Sequence, residues 1–237
     1  MNEALNDEDL DELDELLAEL ELCLAEGDLE GARSALEAAD EMAGSDDPYV
    51  RYGRALIAQE TGDVDTALTE LKLALEADPE FADAHHTLGL LYEDLEDKPS
   101  AVHHFLRTRA LDARLDKELD DKADIDRIER VARETIDNLP DEFLRQLRNV
   151  PVMLEPRPSR QLVETGLDPR AFGLFEGPDH GDDDQIPAPT RIVLYTSNLL
   201  SNFSEDELEE QVETTVLHEV GHYFGLDEDD MERLGLD

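Results

Sequence analysis

Two rhythms of apolar and polar positions divide the chain. From about Leu13 to Asp112 each stretch reads as helix, tight turn, helix. Ile125, Ile128, Val131 and Ile136 continue this rhythm as a helical stripe. Leu139-Pro140 ends it, and Asp141 to Leu147 predicts one more short helix. The character changes at Asn149. Val150 to Leu154 reads as a strand bounded by Pro156 and Pro158, and Pro151 near its start suits a sheet edge. Gln161 to Thr165 is helix-compatible, and Ala171 to Gly177 is a second strand candidate. Arg191 to Tyr195 is the clearest strand, with β-branched Ile192 and Val193 and an aromatic end. Ser201 or Ser204 caps the next helix. Ser204 suits better, because Glu207 three residues on completes a capping box.

The helical half repeats itself. Gly27 and Gly62 are 35 residues apart, as are Ala32 and Ala67, Leu36 and Leu71, and Ala39 and Ala74. A third copy follows 34 residues later, where Ala101 matches Ala67 and Phe105 matches Leu71. Its turn, Glu96 to Ser100, lacks the glycine. Together with Leu88-Gly89-Leu90-Leu91-Tyr92, this period resembles tetratricopeptide repeats. The resemblance implies a right-handed solenoid with a concave groove for a peptide or protein partner. Its groove-facing positions would include Tyr49, Tyr52, Leu56, Gln59, His86, Leu90 and Glu93. The pairs His85-His86 and His103-His104 are adjacent in sequence, so their side chains diverge by about 100° on a helix. They read as packing or groove residues, not as a shared metal site.

Charge narrows the function. With 20 basic against 63 acidic residues the formal net charge is −43. Nucleic acid and anionic membrane surfaces are excluded as partners, because phosphate contacts need clustered Lys and Arg. The single cysteine, Cys23, rules out an internal disulfide and a thiolate zinc cluster. The N-terminus has no cationic region ahead of an apolar core, and no apolar run approaches the ~20 residues that span a bilayer. A cytoplasmic protein of bacterial type is the expectation. The polar run Pro178 to Asp184 lacks the acid spacing of an EF-hand and reads as a solvated loop.

Chemistry concentrates in His218-Glu219-Val220-Gly221-His222. Histidines four apart stack on one helix face, and their nitrogens can reach one ion at about 2.0–2.1 Å each, as zinc prefers. Glu219 need not bind the metal; it can take a proton from a water whose pKa the metal lowers to about 7. This is the H-E-x-x-H signature of metal-dependent peptidases. Val216, Leu217, Val220 and Phe224 make the helix half-buried, and Gly225 supplies its end. One zinc per chain is expected. A third protein ligand must come from elsewhere: Glu228 is the first choice, ten residues after His218, with Asp227, Asp229 and Asp230 as alternatives.

The same motif, with Leu139-Pro140, Phe143, Gly173 to Gly177 and Arg191 to Tyr195, resembles the small bacterial zincin-like metallopeptidase family. The fold expected is an all-α tetratricopeptide solenoid followed by a minimal α+β domain, a small mixed sheet against an active-site helix. Expected boundaries are an acidic, disordered tail at 1–12, three repeats over 13–113, a linker or helix at 114–122, and the zincin-like domain at 123–237. The resemblance implies peptide-bond hydrolysis by a metal-activated water, with the repeats recruiting protein. The strand Arg191 to Tyr195 is expected at a sheet edge, where an extended peptide can add as a further strand, with Tyr195 or Tyr223 supporting the oxyanion. The alternative is a repeat adaptor whose zincin-like domain is structural or inactive.

Overall fold

The computed structural model describes residues 7–114, 116, 121–147, 150–177 and 190–226. The chain divides into two compact units, Met1–Leu111 and Asp112–Asp237. Expected features at 178–184 and from Asp227 onward lie outside the described residues.

Among its described residues the first unit is three helix pairs: α1 (Asp7–Ala25) with α2 (Leu29–Ala43), α3 (Pro48–Glu60) with α4 (Val64–Ala77), and α5 (Ala82–Asp94) with α6 (Lys98–Asp112), whose last residue, Asp112, opens the second unit. Helix α1 starts at Asp7, inside the acidic stretch expected to be a disordered tail. The turns within the pairs are built alike. Gly27 and Gly62 both have φ of +75°, and Glu96 takes their place at +57°. In each turn the next amide reaches back five residues: Asp28 N to Cys23 O at 2.7 Å, Asp63 N to Ala58 O at 2.8 Å, and Asp97 N to Tyr92 O at 2.8 Å. That aspartate then caps the second helix, accepting from Gly31 N, Thr66 N and Ser100 N. The third copy thus keeps the backbone conformation without the glycine.

Close approach of the paired helices needs small residues. Ala32, Ala67 and Ala101 are fully buried, and a β-carbon on Gly89 would lie 2.5 Å from the Phe105 ring. The histidine pairs do meet, but across helices: His85 Nδ1 is 2.9 Å from His104 Nδ1.

Among its described residues the second unit places a three-stranded sheet against helices. Its strands are β1 (Val152–Glu155), β2 (Gly173–Glu176) and β3 (Arg191–Tyr195), in the order β1-β3-β2. β1 runs parallel to β3, Val152 opposite Ile192, and β2 runs antiparallel, Gly173 opposite Leu194. β3 is therefore the central strand, which corrects the expectation that it forms an edge. Ile192 through Tyr195 are all buried, and an unbroken apolar run is the mark of a strand covered on both faces. β1 lies at an edge, as Pro151 suggests.

Helices α7 (Lys122–Asp137) and α11 (Leu208–Tyr223) supply the core with the strands: Ile128, Val131, Val212, Val216 and Val220 pack with Ile192 and Leu194. Short helices α8 (Asp141–Leu147), α9 (Arg160–Thr165) and α10 (Thr196–Asn202) are the other helices among the unit's described residues. Sequence patterning gives no sign of α10, which follows β3 without a break. At the start of α11, Glu207 Oε2 accepts from the Ser204 amide at 3.1 Å, half of the expected capping box, and regular helix begins at Leu208. Arg127 and Arg130 of α7 both donate to Glu209 Oε1 at 2.7 Å, fixing that first turn. These guanidiniums hold the Glu209 carboxyl below its ordinary range.

Candidate active site

His218, Glu219 and His222 lie in the last two turns of α11. The i, i+4 spacing brings the two rings into an edge-to-face pair, centroids 4.6 Å apart, with Nε2 of His222 3.0 Å from Nε2 of His218. Two nitrogens bound to one tetrahedral zinc at about 2.05 Å would stand about 3.3 Å apart. The pair therefore fits a shared ion with a few tenths of an ångström of adjustment. Neutral imidazole nitrogens in this arrangement are the donor set zinc takes.

α11 stops directly after the second histidine. Gly225 turns the chain at φ +77°, its amide donating to His222 O at 2.9 Å, while Leu226 N donates to Gly221 O at 3.1 Å. Aromatic contacts hold this end. The Tyr223 ring lies edge-on to Phe175 of β2 at 5.6 Å, and Phe224 packs edge-on to Phe143 of α8 at 4.8 Å. Tyr223 Oη donates to Gln146 O at 3.3 Å.

Glu219 is 6% exposed and faces the sheet. The start of β2 comes so close that a β-carbon on Gly173 would lie 2.8 Å from Glu219 Oε1 and 2.8 Å from Thr215 Cγ2. Beside this contact is a cleft of about 310 Å³, lined by Ala171, Phe172, Gly173, Gln211, Thr214, Thr215, His218 and Glu219. Its strand-side wall is fixed by Asn198 of α10, whose Nδ2 donates to Pro169 O at 2.9 Å and Ala171 O at 2.6 Å. Asn198 Oδ1 in turn accepts from Arg157 Nη1 at 2.6 Å.

Of the residues singled out in the sequence, the structure brings together His218, Glu219 and His222. Glu228, Asp227, Asp229 and Asp230 lie outside the described residues. Among the described residues, no group of three or more His, Cys, Asp or Glu side chains could hold a metal ion. Tyr195 does not line the cleft. It is wholly buried, its hydroxyl has no hydrogen-bond partner among the described residues, and burial, with Glu155, Glu176 and Glu219 nearby, pushes its pKa up. In the repeats, Tyr52 belongs to the core rather than to an open groove. It is 6% exposed, its hydroxyl donates to Glu21 Oε1 at 3.3 Å, and burial raises its pKa. Tyr49 is half-buried against Phe81, with ring centroids 4.8 Å apart, and His86 is half-buried 6.1 Å from the Phe105 ring.

Sequence reasoning placed Phe172 and Gly173 only in a strand candidate, with Gly173 also part of a motif, and did not single out Gln211, Thr215 or Asn198. Gln211 and Thr215 were legible in one respect: they lie seven and three residues before His218, on the same helix face.

Comparison with known families agrees with both halves of the chain. Residues 24–91 match the tetratricopeptide repeat model, and residues 147–236 match that of the zincin-like metallopeptidases. No curated protein matches the chain. Among the described residues no helix is long and apolar enough to cross a membrane. The chain joins a tetratricopeptide-repeat segment to a zincin-like metallopeptidase domain.

Proposed function

We propose that the second unit is a zinc-dependent peptidase and that the repeats recruit its protein substrates or partners. The observation that carries this reading is the 3.0 Å approach of the His218 and His222 Nε2 atoms, with Glu219 one residue from the first and buried beside a cleft. His218 and His222 would hold the ion, with Glu228 the first choice for third ligand and Asp227, Asp229 and Asp230 its alternatives. Zinc bound there would supply Lewis acidity and a water ionising near neutral pH.

Glu219 supplies the proton traffic. Its carboxylate takes a proton from the attacking water and returns it to the departing amide nitrogen, so each peptide bond broken leaves Glu219 as it began. Burial against Gly173 limits the positions that carboxylate can take. The peptide is assigned to the side of β2 that faces away from β3. β2 lies at the end of the strand order and adjoins Glu219, whereas β3 is paired on both sides. Tetratricopeptide repeats generally bind proteins, and that role is assigned to the first unit.

Elemental analysis of the purified chain beside His218→Ala tests the metal site. About one zinc per wild-type chain, lost in the variant, is the expected result. Glu219→Gln should keep the zinc and lose hydrolysis. No metal in either protein after zinc is offered and excess removed, or full hydrolysis by Glu219→Gln, would overturn the peptidase reading.

A further inference from the structure

We propose that the cleft beside Glu219 is a seat for one uncharged, apolar substrate side chain, with Gln211 and Thr214 setting that preference. The inference rests on the peptidase reading and adds a substrate class to it.

The lining decides the chemistry. On the strand side stand the methyl of Ala171, the ring of Phe172 and the bare backbone of Gly173. The Phe172 ring is braced by Phe203, centroids 5.0 Å apart, and its carbonyl accepts from Tyr195 N at 2.8 Å. On the helix side Thr215 turns its hydroxyl back to Gln211 O at 2.8 Å, and its methyl carbon lies toward Gly173. The threonine therefore acts as an apolar wall. Gly173 keeps the seat open, since any side chain at this position would intrude between β2 and α11.

Charge is the second argument. No Lys or Arg lines the cleft among the described residues, and Glu219 forms part of its wall. A substrate carboxylate placed here would lose its water, find no Lys or Arg to pair with and face the Glu219 carboxylate, which disfavours binding. A lysine side chain would pair with Glu219 and occupy the group needed for proton transfer. An apolar side chain meets neither obstacle, and a volume of about 310 Å³ accommodates a branched aliphatic or aromatic one with its flanking backbone. Gln211, Thr214 and His218 are the half-buried positions on the helix side. Gln211 and Thr214 are the two of them where size and charge can change without touching the histidines.

The test reads binding separately from turnover. N-acetyl-glycyl-leucinamide and its glutamate and lysine counterparts are titrated into the zinc-treated full chain, following the methyl resonances of Ala171, Thr214 and Thr215. The leucine peptide should move those resonances and bind about tenfold or more tighter than either charged peptide. Thr214→Phe should fill the seat and abolish the shifts, while Gln211→Lys, with unchanged helix content, should favour the glutamate peptide. Equal affinity for the three peptides, unshifted methyls with the leucine peptide, or an unaltered order in Gln211→Lys would overturn the seat. Hydrolysis of longer peptides, measured in parallel, separates the two readings. Selective binding without metal-dependent hydrolysis would sink the peptidase and leave the seat; hydrolysis with no side-chain preference at any position would sink the seat and leave the peptidase.

Discussion

Gly173 and Glu219 compete for one volume: a β-carbon on the glycine would lie 2.8 Å from the carboxylate oxygen. The oxygen is the far end of a flexible side chain, so it can yield, whereas Thr215 Cγ2, equally close, belongs to a stiff β-branched residue. Gly173→Ala should therefore cost about 1–2 kcal/mol of stability as mild overpacking. Its effect on the proposed reaction should be larger. Displacing a proton-transfer group by about 1 Å can lower turnover ~100-fold. Zinc per chain, melting temperature and kcat measured together check this. Wild-type kcat with zinc retained would show that Glu219 does not act from this position.

The turn of the third repeat makes a stability prediction. Glu96 holds φ at +57°, where Gly27 and Gly62 sit in the other two copies. A residue with a β-carbon pays about 1–2 kcal/mol in this region, partly offset by the extra unfolded-state freedom that glycine brings. Glu96→Gly should stabilise the first unit by about 0.5–1 kcal/mol, read from the urea midpoint, and Gly62→Glu should do the reverse by a similar amount. Destabilisation by Glu96→Gly would mean that the glutamate side chain contributes more than its backbone strain costs.

These turns show why the repeats were readable. A left-handed residue followed by a capping aspartate demands particular side chains, and it recurs three times. The metal motif was readable for a similar reason, since i, i+4 spacing alone brings the two Nε2 atoms together. Other features depend on tertiary contacts with no local signature. α10 follows Tyr195 at its N-cap position without a side-chain cap bond, and its Asn198 is held by Arg157, Pro169 and Ala171, all distant in sequence. The central place of β3 depends likewise on which strands flank it. The continuous apolar run Ile192 to Tyr195 is the one local sign of that place.

Arg157 sits at the centre of a buried polar cluster in the second unit. It is 7% exposed, donates from Nε to Asp116 Oδ1 at 2.5 Å and lies 3.6 Å from Asp112 Oδ2, besides its bond to Asn198. Arg170 also donates to Asp112, at 2.9 and 3.1 Å. Removing one partner of a buried charge cluster leaves the others uncompensated, so Arg157→Leu should cost about 3–5 kcal/mol. Lysine cannot reproduce the forked donor set, and Arg157→Lys should recover less than half of that loss. Because Asn198 shapes the cleft wall, both variants should also weaken the leucine peptide. Denaturant melts followed by circular dichroism check the first effect, and wild-type stability in Arg157→Leu would show that the cluster contributes nothing net.

The pairing of His85 with His104 predicts how the first unit responds to acid. His85 Nε2 lies 3.2 Å from Pro79 O, which can only accept, so that nitrogen carries the proton and Nδ1 of neutral His85 accepts. His104 must then donate from Nδ1 across the 2.9 Å contact. Tyr92 stacks on the His104 ring at 5.7 Å. Burial, first, and then His85, His103 and Lys72 push the His104 pKa down to about 4. Burial lowers that of His85 as well; Arg107 and His103 add to this, and the Pro79 carbonyl and Asp78 oppose it. The unfolded chain thus binds more protons than the folded one between about pH 6.5 and pH 4. The stability due to neutral His104 is complete above the unfolded value and is lost as pH falls toward the folded one. With solvent screening discounted, the change should be about 1–2 kcal/mol. His104→Phe removes this titration, so the stability of wild type relative to the variant should fall by that amount from pH 7 to pH 4, while carboxylate effects common to both cancel. A difference independent of pH over that range, or a His104 nitrogen spectrum showing the proton on Nε2 at pH 7, would refute the pairing.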